Sequence, residues 1–156
     1  MAPLVQALAA ARTREDSDRI AARLETVRQG GLSPTATLLL RRAQREVTGD
    51  KAHDALDDAD DAVALQPESP VVWRERAGIR LLAGDRGGAE DDLGQALSRD
   101  PNDAVAWSAL SHVEETGGHA EAAYAAWEHA VRLQPMMPDG ARRLDFLRRR
   151  MLGDPT

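Results

Sequence analysis

The equal spacing of three prolines is the feature that most constrains this chain. Pro67, Pro101 and Pro135 stand 34 residues apart. Three further columns align when the sequence is written in this register. They contain Ala55, Ala89 and Ala123, then Ala62, Ala96 and Ala130, and finally Leu39, Trp73 and Trp107. Four columns that match at one spacing indicate a tandem repeat.

Each repeat is predicted to form two antiparallel helices. In the third repeat, Trp107 and Leu110 recur at helical spacing before Gly117-Gly118 interrupts the pattern. A second helical stripe then stops at Pro135, because proline cannot continue a helix. The alanine columns mark where two helices can approach to the short end of the usual range of about 8–10 Å.

Residues 107–135, WSALSHVEETGGHAEAAYAAWEHAVRLQP, resemble a tetratricopeptide repeat. They have Trp, Leu, a Gly turn, Ala, an aromatic residue, Ala and Pro at that family's offsets. The resemblance implies an all-α fold, a right-handed α-solenoid of antiparallel helix pairs, in a small bacterial-type repeat protein. The repeats are predicted at residues 36–69, 70–103 and 104–137.

Two segments flank the repeats within what is predicted to be one structural domain. Residues 1–33 are expected to form a helix pair, either a degenerate repeat or a cap, with the polar sequence TREDSD between its helices. Ser33-Pro34 would separate this pair from the first repeat. Residues 138–152 are expected to form a capping helix with an Arg-rich outer face, since the ends of a solenoid need covering.

The first two repeats depart from the family pattern in a correlated way. Arg42 and Arg76 stand where the family commonly has Leu, and Asp58 and Asp92 occupy equivalent positions on the second helix. In the third repeat both positions are apolar, Leu110 and Ala126. Arg and Asp therefore appear and disappear together, which predicts ion pairs Arg42–Asp58 and Arg76–Asp92 between the two helices. An unpaired charge at such a semi-buried position would be costly.

Asp58 belongs to a run of five aspartates within residues 54–61. Asp54, Asp57 and Asp61 fall at i, i+3 and i+7 and are expected to form an exposed strip, with Asp60 pointing elsewhere. The stretch lacks the alternating ligands and central Gly of a Ca²⁺ loop, so no metal site is predicted. In the same repeat, Gly49-Asp50 comes one residue early, which predicts an irregular turn.

Composition excludes several classes of function. A net charge of −6 argues against nucleic acid as a ligand, and the Arg-rich C-terminal residues are expected to be solvated. There is no Cys, no stretch of about 18 apolar residues and no catalytic motif, so we expect no membrane span, no cofactor and no enzymatic activity. The N-terminus does not resemble a signal peptide, which favours the cytoplasm unless the chain is a trimmed, exported (periplasmic) form.

The family resemblance implies a non-catalytic interaction module that binds a peptide or protein segment in a concave groove. The residues that correspond to groove positions are Leu40, Gln44, Val47, Val71, Arg74, Gly78, Leu81, Val105, Ser108, His112 and Glu115. The family's clamp for a C-terminal carboxylate needs Lys and Asn at positions where this chain has other residues, which argues against a chaperone-tail adaptor.

Two alternatives remain open. The first concerns Gly78, which costs a helix interior about 0.5–1 kcal/mol and would fit either a ligand backbone or a tightly packed neighbouring helix. The second is an alternative function, a self-assembling structural element. A homo-oligomer of this kind would use an apolar patch at Met136-Met137.

Overall fold

A computed structural model describes residues 1–47 and 52–153, without the side chains of residues 52 and 53. The described residues form helices and turns and no strand, so the all-α prediction is confirmed. The helices are α1 (Ala2–Ala10), α2 (Arg14–Gln29), α3 (Pro34–Glu46), α4 (Ala52–Leu65), α5 (Pro70–Leu82), α6 (Arg86–Arg99), α7 (Ala104–Thr116), α8 (Ala120–Leu133) and α9 (Gly140–Leu152). The turn predicted at Gly49-Asp50 lies outside the described residues.

Side-chain caps set the starts of two helices, and the start of α2 differs from the expectation. Thr13 Oγ1 accepts a hydrogen bond from the Asp16 N–H at 3.1 Å, so α2 begins at Arg14 and includes the polar stretch predicted as a linker. Ser33 caps α3 in the same way, accepting from the Ala36 N–H, and Pro34 occupies the first turn. Ser33 and Pro34 therefore mark the N-terminus of α3, because a side-chain acceptor followed by Pro favours a helix start. The predicted separation of the N-terminal pair from the first repeat at this point stays a prediction.

The chain divides into two compact units. The first unit contains Met1–Val27 and Asn102–Thr156, and the second contains Arg28–Pro101. In the first unit, α8 packs against α7, α9 and α1. In the second unit, α3 packs against α4, α5 packs against α6, and both α3 and α4 contact α5. The predicted division into three repeats and two flanking segments stays a prediction.

The core of the second unit is built where the alanine columns meet. One cluster joins α3 and α4 to α5 through Leu40, Ala62, Val63 and Val72. A neighbouring cluster contains Ala43, Val47, Ala55, Ala59 and Ile79. The alanines of both clusters are fully buried, which lets the helices approach closely.

The core of the first unit surrounds Trp127. This residue packs with Ala123 and Leu147, and its indole Nε1–H donates to the Gly140 carbonyl at 2.9 Å. Tyr124, Val131, Met137 and Leu144 pack against this cluster, so the apolar face of α9 is buried against α8. Within the described residues, no helix is both long and apolar enough to cross a membrane.

Candidate functional site

Four residues assigned to a groove in the second unit are buried. Leu40 and Val47 belong to the core clusters, and Val71 is also buried, because these positions face the packing between helices. Arg74 is buried as well, and its guanidinium lies 3.2 Å from the Glu75 carboxylate. Leu40 also lines the cavity described below, and the assignment of these four residues to a ligand groove stays a prediction.

The remaining assigned residues of the second unit are more accessible. Gln44 and Gly78 are exposed, and Leu81 is half-buried. A Cβ built on Gly78 would meet no atom within 4 Å outside its own helix turn. Tight packing against a neighbouring helix therefore does not explain this glycine.

The assigned residues of the first unit have different surroundings. Val105 and His112 are exposed, whereas the Ser108 hydroxyl donates to the Val105 carbonyl of its own helix. Glu115 accepts hydrogen bonds from Arg143 at 2.7 Å and Arg150 at 3.0 Å. Because both arginines belong to α9, Glu115 attaches that helix to α7, which is a structural role.

A polar cavity of about 440 Å³ lies in the second unit beside Gln44. Its walls come from residues 29, 30 and 32, from α3 and from Glu75 of α5. The Gln44 side-chain amide donates to the Glu75 carboxylate at 2.5 Å, which positions both groups at the wall. The cavity thus offers an amide, a carboxylate and the guanidinium of Arg41 to a ligand.

Charged pairs connect the helices of each pair in the second unit. Arg76 donates to Asp92 through Nε at 2.8 Å and Nη2 at 2.6 Å, and Arg42 makes the same two-bond contact with Asp58. Hydrogen bonding to the aspartate raises the arginine pKa in both pairs. The Arg80 guanidinium also lies 3.1 Å from the Asp92 carboxylate, a second ion-pair partner that sequence reasoning missed.

The two pairs differ in exposure. The side chain of Arg76 is 12% exposed, and that of Arg42 is 52% exposed. The guanidinium of Arg76 also lies 5.0 Å from the centre of the Trp73 ring and bonds Asp60 at 2.8 Å. The three residues of the predicted strip, Asp54, Asp57 and Asp61, are exposed as predicted.

Two arginines of the Arg-rich C-terminal helix pair with the one carboxylate that the helix contains. Arg148 and Arg149 bond Asp145 at 2.6 and 2.9 Å, and the hydrogen bond from Arg148 lowers the Asp145 pKa. Met136 is exposed, but Met137 packs in the Trp127 cluster. The apolar patch predicted at Met136-Met137 is therefore reduced to one methionine.

Sequence reasoning also missed how the N-terminal segment is held. The residue before each repeat proline contacts this segment, and the three contacts share one register position. Gln66 accepts from the Ser33 N–H at 2.6 Å, Asp100 accepts from buried Arg28 at 2.7 Å, and Gln134 donates to Ser17 at 3.1 Å. The sequence signal that could have indicated these contacts is the polar residue at each of the equivalent positions 66, 100 and 134.

Solved structures of known proteins share this arrangement of helices. A tetratricopeptide-repeat structure, the first such domain of Spaghetti (RPAP3) bound to the HSP90 peptide SRMEEVD, superposes with a TM-score of 0.70 at 19% identity and covers 77% of this chain and 95% of that one. The chain has the tetratricopeptide-repeat fold. No protein-family model matches it.

Two curated relatives carry tetratricopeptide names. A repeat-containing protein of Rhizobium etli is 24% identical over 124 residues, which is 80% of this chain and 61% of the relative. The small glutamine-rich tetratricopeptide repeat-containing protein 2 of Mycosarcoma maydis is 31% identical over 108 residues, 65% of this chain and 31% of that protein. The chain thus spans about three fifths of the first relative and about a third of the second.

Proposed function

We propose that this tetratricopeptide-repeat chain is a non-catalytic interaction module that binds an extended segment of a partner protein in the cavity beside Gln44. The observation that carries the proposal is the hydrogen-bonded pair Gln44–Glu75 at the wall of that cavity. The pair combines the donors of an amide with the acceptors of a carboxylate at one accessible place.

The chemistry of the cavity suits a peptide backbone. An extended segment presents one N–H donor and one C=O acceptor per residue, and these need polar partners when they leave water. Gln44 and Glu75 supply acceptors for N–H groups, and Arg41 supplies donors for C=O groups or for a carboxylate. The volume of about 440 Å³ lies within the range of about 300–1,000 Å³ for ligand pockets, which suits a few residues of peptide.

Two considerations support binding over catalysis. The described lining residues include one hydroxyl, that of Thr37, and no histidine that could act as its base. The Spaghetti domain of the same fold was solved with a peptide bound. That ligand belongs to that protein, and the same class of ligand is proposed for this chain.

The test starts from a library of random peptides displayed on phage and selected against the purified chain. Selected peptides are then measured by fluorescence anisotropy against wild type, Gln44→Trp and Ser98→Trp. Gln44→Trp should fill the cavity and weaken binding by about tenfold or more, whereas Ser98→Trp, on the exposed surface of α6, should bind like wild type. If the selected peptides bind all three proteins equally, the binding site does not lie in this cavity.

A further inference from the structure

We propose that the outward face of α3 is a docking surface for the acidic strip on α4 of a second copy of this chain. The face consists of Leu38, Arg41 and Arg45, which fall at i, i+3 and i+7 on one side of the helix. It adjoins the cavity beside Gln44 and shares Arg41 with it. Self-association through this face does not depend on the proposed peptide site.

The repeat register shows that this face is normally covered. Leu38 corresponds to Val72 and Ala106, and Arg45 corresponds to Ile79 and Val113. All four of those equivalents are buried, with exposures of 0–2%. Leu38, by contrast, is 63% exposed, and Arg45 is also exposed. The α3 face is therefore a packing surface that lacks its covering layer.

The second unit shows what kind of layer covers such a face. On α5, the equivalent residues pack against the α3–α4 helix pair: Val72 joins Leu40 and Ala62, and Ile79 joins Ala43 and Ala55. The covering element is helical, and it supplies apolar side chains. A helix with at least one exposed apolar residue is thus the occupant that the α3 face fits.

The charges on the α3 face further restrict which helix can bind there. Among the described residues, no hydrogen bond or ion pair involves Arg41 or Arg45, although Arg42 between them is bonded to Asp58. Two cations four residues apart on a helix repel each other. The α3 face is therefore locally cationic in a chain of net charge −6, and it favours a helix that brings carboxylates to both arginines.

The chain itself carries a helix with these properties. On α4, Asp57, Asp61 and Leu65 recur every four residues. Leu65 is 49% exposed, and the structure gives neither aspartate a hydrogen bond or ion pair among the residues it describes.

The spacings of the two helices match when they run antiparallel. Leu65 then meets Leu38, Asp61 meets Arg41, and Asp57 meets Arg45. At a rise of 1.5 Å per residue, residues 57–65 of α4 span about 12 Å and residues 38–45 of α3 span about 10.5 Å. Leu38 also lines a shallow hollow with Leu32, Pro34 and Thr37 that can receive the leucine side chain. If each copy offers both surfaces, the pairing closes as a two-fold symmetric dimer.

The test compares two charge-reversal variants by sedimentation velocity over a concentration series. Wild type should move from the chain mass of 16.9 kDa towards twice that value, and added salt should oppose the change. Arg41→Glu/Arg45→Glu should stay monomeric, and so should Asp57→Arg/Asp61→Arg. All four positions are exposed, and circular dichroism checks that both variants keep the wild-type melting curve.

A mixture of the two variants tests whether the α3 face of one copy binds the acidic strip on α4 of another. In the mixture, the acidic α3 face of one variant meets the basic α4 strip of the other, and the two unaltered surfaces also match. An equimolar mixture should therefore dimerise although each variant alone does not. The proposal is overturned if wild type stays monomeric throughout, if either variant dimerises like wild type, or if the mixture stays monomeric. If wild type stays monomeric, the occupant of the α3 face would have to be an acidic helix of a different protein.

Discussion

The α3–α4 and α5–α6 helix pairs carry the same residue types at equivalent positions in different surroundings. Arg42–Asp58 and Arg76–Asp92 are the same two-bond contact, but the first arginine is half exposed and the second is nearly buried. Leu38 and Val72 are both apolar, yet only Val72 is covered. In α5–α6 these residues hold the interior together, whereas in α3–α4 the same register presents an accessible surface.

This difference separates covered from accessible residues at equivalent positions of the second unit. A register position predicts what a residue does only when its neighbours are known, because burial decides whether a charge must be paired internally. Exposed residues with buried equivalents elsewhere in the chain, such as Leu38 and Arg45, are the ones that we propose contact a partner.

The largest effect is expected from removing the buried carboxylate. Asp92→Ala leaves Arg76 and Arg80 without their shared partner and should lower the free energy of unfolding by about 3–5 kcal/mol. Asp58→Ala should cost less, because solvent reaches the Arg42 guanidinium. Urea unfolding of the two variants measures the difference. Equal losses would show that the two pairs do not differ in the way their exposures indicate.

A double substitution sharpens the same comparison. Arg76→Leu/Asp92→Ala introduces the apolar residues that α7 and α8 have at the equivalent positions, Leu110 and Ala126. Replacing a buried ion pair by apolar groups is often neutral, so the double variant should recover most of the stability that Asp92→Ala loses, with a residual loss because Arg80 still lacks Asp92. The urea midpoint and slope report this directly. A double variant as unstable as Asp92→Ala would mean that the pair cannot be exchanged for apolar packing.

A smaller effect is expected at the position where α3 has Gln44 and α5 has Gly78. Since a Cβ at Gly78 meets open space, Gly78→Ala should stabilise the protein by about 0.5–1 kcal/mol. Gly94→Ala on α6, where a Cβ also meets no atom within 4 Å, is the matched control and should gain a similar amount. Thermal unfolding compares them. A loss at Gly78 alone would point to a packing role for this glycine.

The sequence predicted the fold because burial in a repeat is periodic, and the alanine columns record each close helix contact. It also indicated the partner of Arg76, since Arg and Asp are lost together at Leu110 and Ala126. Its groove assignments at Val47 and Val71 stay predictions; both residues are buried, which family offsets could not indicate because they do not show how closely the helices of this chain pack. The contacts of Gln66, Asp100 and Gln134 join residues far apart in sequence, so no local pattern could name their partners.

The central claim is that equivalent residues of α3 and α5 differ in whether they are covered. The most direct test measures the free energy of unfolding of Leu38→Asp and Val72→Asp by urea titration. We expect Leu38→Asp to stay within about 0.5 kcal/mol of wild type, because its carboxylate remains in water. Val72→Asp should lose several kcal/mol or fail to fold, because it buries an unpaired charge. Similar losses in both variants would contradict the claim, since they would show that Leu38 is as much a core residue as Val72.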